Sequence, residues 1–264
     1  MDLKRQKIKI LGVDVDDISE KDATRAILQL ADNKRRHRYI VTVNSEFVML
    51  AYRNSQFRRI INGADLSVPD GVGVVLAKLI MGGKERNRVT GVDLIEKICA
   101  KSVDLPIRIG FLGGFHNIAE IVKKRQLEKF PGINVVFAQA GNPTIGHDLK
   151  LRSAVNAVKG IDILFVAFGM GQQEFWIKRN IDQLDVGLAI GVGGAFDYLA
   201  GVKVRAPQFM QNSGLEWLWR LVQEPTRVWR MRVLPVFFVM VLAQWLLFMG
   251  KRNLENVQNK FRKI

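Results

Sequence analysis

In "GADLSVPDGVGVV" (63–75) two carboxylates, Asp65 and Asp70, flank the four-residue run Leu66–Pro69. Asp70 then stands between a proline and a glycine, where packing has no evident need of an acid. A carboxylate that ends a strand before a glycine turn can serve as a base on a ligand brought close to the backbone. "TVNSEF" (42–47) puts Thr42, Asn44 and Glu46 at the end of another apolar run. Polar residues there either cap the next helix or face a site. Glycines follow three further runs, at Gly113-Gly114, Gly169-Gly171 and Gly191-Gly193-Gly194. Turns of this kind let phosphates approach the backbone. Asp197 follows the last of them and suits either a ribose hydroxyl or a helix N-cap.

Two other patterns carry charge. In "GLEWLWRLVQEPTRVWRMR" (214–232), Arg220, Arg227 and Arg230 fall at intervals of seven and three. A helix continuing past Pro225 would bring them near one face. They would then form a phosphate clamp, since guanidinium forks suit diphosphates, or a basic face on an anionic surface. "DVDD" (14–17) holds an Asp-x-Asp pair, Asp14 and Asp16. Such a pair can hold a divalent cation, although a solvated turn is the favoured reading here. The three histidines lie far apart and none sits beside a cysteine pair, so no zinc spacing is present.

The elements that must position these residues follow from periodicity. Residues 8–13 read as a short strand. Ser19 and Asp22 form a capping-box pattern before a helix with Ala23, Ala26, Ile27 and Leu30 on one face. Residues 39–43 read as a buried strand, with Ser45 as the cap of the next helix. Helices are predicted over 55–62, 72–81 and 92–101, and Asp70 ends a strand of its own. From 107 onward strands and helices alternate: "IRIGFLGG", helix 117–130, "INVVFAQA", helix 148–158, "IDILFVAFG", helix 172–182, "VGLAIGVGG". This alternation predicts a Rossmann-like α/β fold with a doubly wound parallel sheet. None of the glycine turns has the G-x-G-x-x-G spacing, which argues against a nicotinamide oxidoreductase, the alternative enzyme.

Composition changes near residue 202. The predicted catalytic domain is therefore 1–202, followed by a basic, Trp-rich appendage, 203–264. The appendage carries eleven Lys and Arg against three Glu, and four of the five tryptophans. Within it, 233–249 is a 17-residue run without formal charge, at the short limit for a membrane span of roughly 17–25 residues. Basic residues on both flanks leave its orientation open. Shallow or re-entrant embedding is favoured over a span, with packing against a second subunit of a homo-oligomer as the alternative. The whole chain has 264 residues and a net charge of +15, which calls for an anionic partner. Charge gathered beside an apolar run suits an anionic membrane surface better than nucleic acid. The lone Cys99 excludes an intrachain disulfide, and the polar start of the chain does not read as a signal peptide.

Taken together, "TVNSE", "ADLSVPDGVG", "RVTGVD", "FLGG", "GMGQQE", "GVGGAFDYLAG", "VRAP" and "GLEWLWRLVQEP" resemble the WecG/TagA/CpsF family of bacterial glycosyltransferases, in family order over roughly residues 10–232. The resemblance implies a Rossmann-like fold with a C-terminal appendage that targets the membrane and closes over the site. It implies inverting, metal-independent transfer, without a cofactor, from a nucleotide-diphosphate sugar, with UDP the expected nucleotide. The implied acceptor is a polyprenyl-diphosphate-linked saccharide at the cytoplasmic face of the plasma membrane. By motif, Asp70 matches the family's proposed general base, and Thr42 and Asn44 match pocket residues beside it. Arg88 and Gln173 match residues lining the pocket, and Arg220, Arg227 and Arg230 match the appendage arginines. With Gly113, Gly114, Gly169, Gly193 and Asp197 from the turns, these are the candidate site residues. The pattern departs from the family at Gly171, where proline is common, and near "AGNPTIG", where an aromatic residue is missing.

Overall fold

The computed structural model describes residues 5–32 and 37–261. The chain opens with an antiparallel hairpin, β1 (Lys7–Ile10) and β2 (Val13–Asp16), where one strand over 8–13 is predicted from sequence. Leu11 and Gly12 both take positive φ, +48° and +87°. Such a two-residue turn matches the twist of the paired strands, so the apolar run folds back instead of extending. The Asp-x-Asp pair is consequently not a solvated turn. Asp14 pairs with Lys9, and Asp16 is buried on β2 and accepts from the Ser67 N–H at 2.7 Å.

After α1 (Glu20–Asp32) come β3 (Arg38–Val43), α2 (Ser45–Arg53), α3 (Ser55–Asn62), β4 (Leu66–Pro69), α4 (Val72–Ile80) and α5 (Gly91–Ser102). Next are β5 (Arg108–Gly113), α6 (Ile118–Lys129), β6 (Asn134–Gln139), α7 (Asp148–Asn156), β7 (Ile161–Ala167), α8 (Gln172–Asn180), β8 (Val186–Gly191) and α9 (Ala195–Leu199). Six strands form one parallel sheet in the order β4-β3-β8-β7-β5-β6. One face buries α2, α3, α7 and α8, and the other α1, α5, α6 and α9. Covered on both sides, these strands carry near-continuous apolar runs. Tyr39, Val41 and Val43 point to one core and Ile40 to the other.

The sheet gathers polar residues at its carboxyl edge. Asp70 and Asn44 follow β4 and β3, which are neighbours in register at Val43 and Pro69. The glycine turns follow β5, β7 and β8. β5 connects outward to β6 and β7 inward to β8, so the strand order reverses between β5 and β7, where open parallel sheets form a ligand crevice. Asp65 lies at the opposite edge and accepts from the Tyr39 N–H at 3.0 Å. Five residues of strand at ~3.3 Å each put it roughly 16 Å from Asp70, so the two do not form a catalytic pair.

Beyond α9 lie α10 (Gln208–Asn212), α11 (Glu216–Gln223), α12 (Val228–Met231) and α13 (Val233–Phe261). The helix does not run through Pro225. Glu224 leaves helical geometry (φ −132°, ψ 80°), and a single 3-10 turn over Pro225–Arg227 follows. A residue before proline is pushed to extended backbone, so the predicted common face of the three arginines is broken there. α13 is one helix through the apolar run. Phe237, Val241 and Gln244 lie on one side of it. The first two are fully buried in the core beside α2 and α4. Gln244 accepts from the Leu11 N–H at 2.8 Å and donates to the Lys9 carbonyl at 2.9 Å. Val236, Val239, Leu242, Leu246, Leu247 and Phe248 are exposed on its other sides.

Candidate active site

Asp70 is half-buried at the end of β4. Its N–H bonds the Val43 carbonyl at 2.7 Å, which extends the sheet's hydrogen bonding to the last residue before the turn. Gly71 follows with φ +116°, a conformation that lets the chain turn directly into α4. No hydrogen bond or ion pair reaches the Asp70 side chain among the described residues. Burial pushes its carboxyl up to about 6; Arg220 and Arg88 oppose the rise, and Glu216 and Asp93 add to it. Near neutral pH such a carboxylate is ionised and more basic than a solvated one.

The four neighbours come from three segments. Arg88 sits in the loop after α4, Asp93 in the first turn of α5, and Glu216 and Arg220 one turn apart on α11. Glu216 is the one buried residue between Gln208 and Met231. Its carboxylate meets Arg88 Nη1 at 2.6 Å and Arg220 Nη2 at 2.7 Å. Arg220 also stacks its guanidinium over the Tyr198 ring, 5.0 Å from the centroid. Burial alone would raise Glu216, but the two arginines outweigh it and hold its carboxyl below the usual range. Arg88 further donates to the Gln211 carbonyl at 3.2 Å. Asp93 accepts from both terminal guanidinium nitrogens of Arg205, at 2.6 and 2.8 Å. Those bonds and one from Thr90 outweigh its burial as well.

The loop that presents Arg88 is tied down from the other side. Lys78 and Asp17 form a buried ion pair at 2.7 Å, and Asp17 also accepts the Lys84 and Glu85 N–H groups at 2.7 and 3.0 Å. The extra bonds satisfy the Asp17 carboxylate, while Lys78 Nζ has the ion pair as its one polar contact among the described residues.

The other candidate residues divide into engaged and open. Asn44, rather than Ser45, caps α2 by accepting from the Phe47 N–H at 3.0 Å. Its Cβ lies 3.7 Å from a Cβ built on Gly71, which puts it next to the Asp70 turn. Thr42 is buried and donates to the Gly191 carbonyl at 3.0 Å. Gln173 is fully buried and does not line an open pocket with its side chain. Its carbonyl accepts from the Gly193 N–H at 2.9 Å and its amide donates to Glu174 at 2.6 Å. Thr42 and Gln173 thus hold the turn after β8 from two sides. Glu174 is also fully buried and accepts from the Gly171 N–H, and its burial pushes its carboxyl up to about 7.

Gly113 and Gly114 answer to packing. A Cβ on the first would lie 2.7 Å from the Ala167 carbonyl oxygen, and on the second 2.8 Å from Ile118 Cβ. Gly169 and Gly193 have nothing within 4 Å of that position and leave their turns open. Asp197 lies inside α9 and is not its N-cap; it pairs with Lys203 at 2.8 Å. Lys203 also pairs with Glu224, and Glu224 with Arg227, both at 2.7 Å. Arg230 reaches Glu46 of α2 at 2.7 Å. Of the three appendage arginines, only Arg220 is thus brought to Asp70. Glu216, Asp93, Arg205 and Glu174 were missed by the sequence reading, although "GLEW", "GVD", "VRAP" and "GQQE" contain all four. Among the described residues no three His, Cys, Asp or Glu side chains gather as a metal site. Burial pushes the Cys99 thiol up to about 12, which leaves it un-ionised.

The glycosyl transferase WecG/TagA/CpsF family model matches residues 8–251. The chain belongs to this family. It is 32% identical over 205 residues to a protein of Bacillus spizizenii (strain W23), covering 77% of this chain and 78% of that one. It is 29% identical over 235 residues to a protein of Staphylococcus aureus (strain MW2), covering 88% and 90%. Both relatives are named N-acetylglucosaminyldiphosphoundecaprenol N-acetyl-beta-D-mannosaminyltransferase. The chain is a glycosyltransferase with a Rossmann-like sheet, of the kind that acts on lipid-linked saccharides in cell-envelope polysaccharide synthesis.

Proposed function

We propose that the protein transfers N-acetylmannosamine from its UDP donor to N-acetylglucosamine carried on a polyprenyl diphosphate, by one inverting displacement. The sugar and acceptor are those named for the relatives. The observation that carries the mechanism is the carboxylate of Asp70 at the sheet's carboxyl edge, unpartnered among the described residues and under the charge of Arg220 and Arg88.

An acceptor hydroxyl is a poor nucleophile at neutral pH. Asp70 takes its proton as the hydroxyl oxygen attacks the anomeric carbon. The bond from that carbon to the diphosphate oxygen breaks, and the nucleoside diphosphate leaves with the electron pair. Attack from the face opposite the leaving group inverts the anomeric centre. Negative charge grows on the diphosphate, and Arg220 and Arg88 stabilise it from fixed positions. The open turns at Gly169 and Gly193 offer backbone N–H groups for the same oxygens. Arg227 and Arg230 lie further along the tail, and either joins only by leaving Glu224 or Glu46.

The two domains proposed, 1–202 and 203–264, divide the work: the sheet supplies the base and the appendage a cation and the membrane contact. The segment Pro225–Gly250 is long and apolar enough to cross a membrane, and only 11% of its most apolar stretch is buried. α13 is pinned to the protein along Phe237, Val241 and Gln244, so it lies along the cytoplasmic face of the bilayer with its exposed side in the lipid. Its basic end, 251–264, falls outside the described side chains.

The test is direct. The full-length protein on liposomes is given a short-chain lipid-diphosphate-linked N-acetylglucosamine and, in turn, the UDP forms of N-acetylmannosamine, N-acetylmannosaminuronic acid and glucose. The proposal expects a disaccharide product from the first donor, with inverted anomeric configuration by NMR. Product from one of the other two alone would reject the sugar, and retention would reject the single displacement.

A further inference from the structure

Five arginines around Asp70 and along the tail are each engaged by a carboxylate. Arg205 is on Asp93, Arg227 on Glu224, Arg230 on Glu46, and Arg88 and Arg220 share Glu216. Of the carboxylates in this region, Asp70 alone has no hydrogen bond or ion pair to its side chain among the described residues. This distribution is not what attraction by itself would produce. Asp70 is half-buried and feels the charge of both guanidiniums, so it is a natural acceptor for either. A base clamped by two arginines would be both weak and sterically blocked.

Glu216 prevents that outcome by position. It is the one buried side chain of the tail between Gln208 and Met231, on the first turn of α11. Arg220, one helical turn on, is drawn back to it, and Arg88 reaches it from the loop after α4. The Tyr198 ring holds Arg220 on a third side.

We propose that Glu216 is a positioning residue: its carboxylate takes up Arg88 and Arg220, so that neither closes on Asp70 and the base stays free for the acceptor hydroxyl. The inference rests on Asp70 being the base for its catalytic consequence, but not for its electrostatic one. Glu216 also acts on Asp70 as a like charge, and so opposes the two arginines twice.

The test is Glu216→Gln in the full-length protein, which keeps the side chain's size and removes its charge. Two quantities are read. One is the acid limb of kcat/KM against pH. The other is the Asp70 carboxyl inflection, followed by NMR on protein labelled with carboxyl-13C aspartate and assigned by its loss in Asp70→Asn. Wild type should show both near pH 6. E216Q should move both to lower pH by about one unit, the effect of unmasking a nearby opposite charge. The plateau rate should fall roughly tenfold, as the base weakens and Arg220 closes on it. Glu216→Asp, which keeps the charge one methylene short, should shift the inflection down by less than E216Q. It also serves as the readout if E216Q fails to fold. An inflection unchanged in the folded variants overturns the proposal. Turnover of Asp70→Asn tests the base reading separately, so the two failures are distinguishable.

Discussion

The two halves of the tail attach to the same domain by opposite means. Residues 203–232 are held by charge: Lys203 on Asp197, Arg205 on Asp93, Glu216 on Arg88 and Arg230 on Glu46. Apart from Ala206 and Glu216 nothing in that stretch is buried, and Phe209, Trp217, Val222 and Trp229 are exposed. α13 is held by an apolar seam, Phe237 and Val241, with Gln244 closing on the hairpin turn. Outlying pairs such as Arg230 with Glu46 are individually weak and exchangeable, which suits outer arginines that can move to an arriving diphosphate, whereas the buried Glu216 keeps Arg88 and Arg220 in place. Apolar burial of about 1.5–3 kcal/mol per large side chain suits a segment that stays in place.

The sharpest test of that division lies at the cleft itself. Asp70→Asn keeps size and removes basicity, and turnover should fall roughly 10²–10⁴-fold with donor affinity retained; isothermal titration with UDP alongside initial rates checks both. The same substitution should raise the melting temperature at pH 7. Sign matters here: Asp70 titrates near 6 in the folded chain and near 3.9 unfolded. The folded state therefore pays for its charge above about pH 6, and the gain from Asn should vanish below about pH 4. A gain independent of pH would show that desolvated charge is not its source.

Arg220→Gln should cost roughly 10²–10³-fold in kcat on a short-chain, water-soluble acceptor. Arg227→Gln and Arg230→Gln should cost less, because the fold engages them away from Asp70. Equal losses at all three would mean that the tail rearranges around the donor. EDTA should leave activity unchanged, measured as product formed with and without added Mg²⁺ or Mn²⁺.

Truncation separates the halves next. Removal of 233–264 should abolish liposome flotation and also destabilise the domain, since the Phe237 and Val241 seats are emptied. Transfer to the soluble acceptor should persist at temperatures where the domain remains folded. The smallest effects concern the contacts themselves. Gln244→Ala hands the exposed Lys9 carbonyl and the part-buried Leu11 N–H back to water and should cost about 0.5–1.5 kcal/mol in denaturant unfolding. Raising salt should speed hydrogen exchange over 224–232 and leave 237–244 protected, because screening reaches the partly exposed pairs of Arg227 and Arg230 and not an apolar seam.

Much of this was legible in the chain. The alternation from 107 to 194 predicted the parallel sheet, because buried strands and amphipathic helices have different periods. Motif order carried the family, and with it the proposal for Asp70. Ser19 was read correctly as a cap, and Ser45 was not, because Asn44 beside it caps equally well and only backbone geometry chooses between them. The hairpin was missed because its turn, Leu11-Gly12, carries a bulky residue at a positive φ that sequence patterns do not expect.

Local spacing by itself determined the run of strands and helices from 107 onward and how apolar the tail is, since each depends on near neighbours in the chain. It could not decide which charges meet. Glu216 and Arg88 are 128 residues apart in sequence and 2.6 Å apart in the fold, and Gln173 reaches Gly193 only once β7 and β8 are paired. That Arg220 faces the base while Arg227 and Arg230 turn elsewhere depends on the break at Pro225 and on which carboxylate lies within reach. Coulomb attraction and desolvation act through space, so only the tertiary structure assigned each arginine its partner and left Asp70 with none.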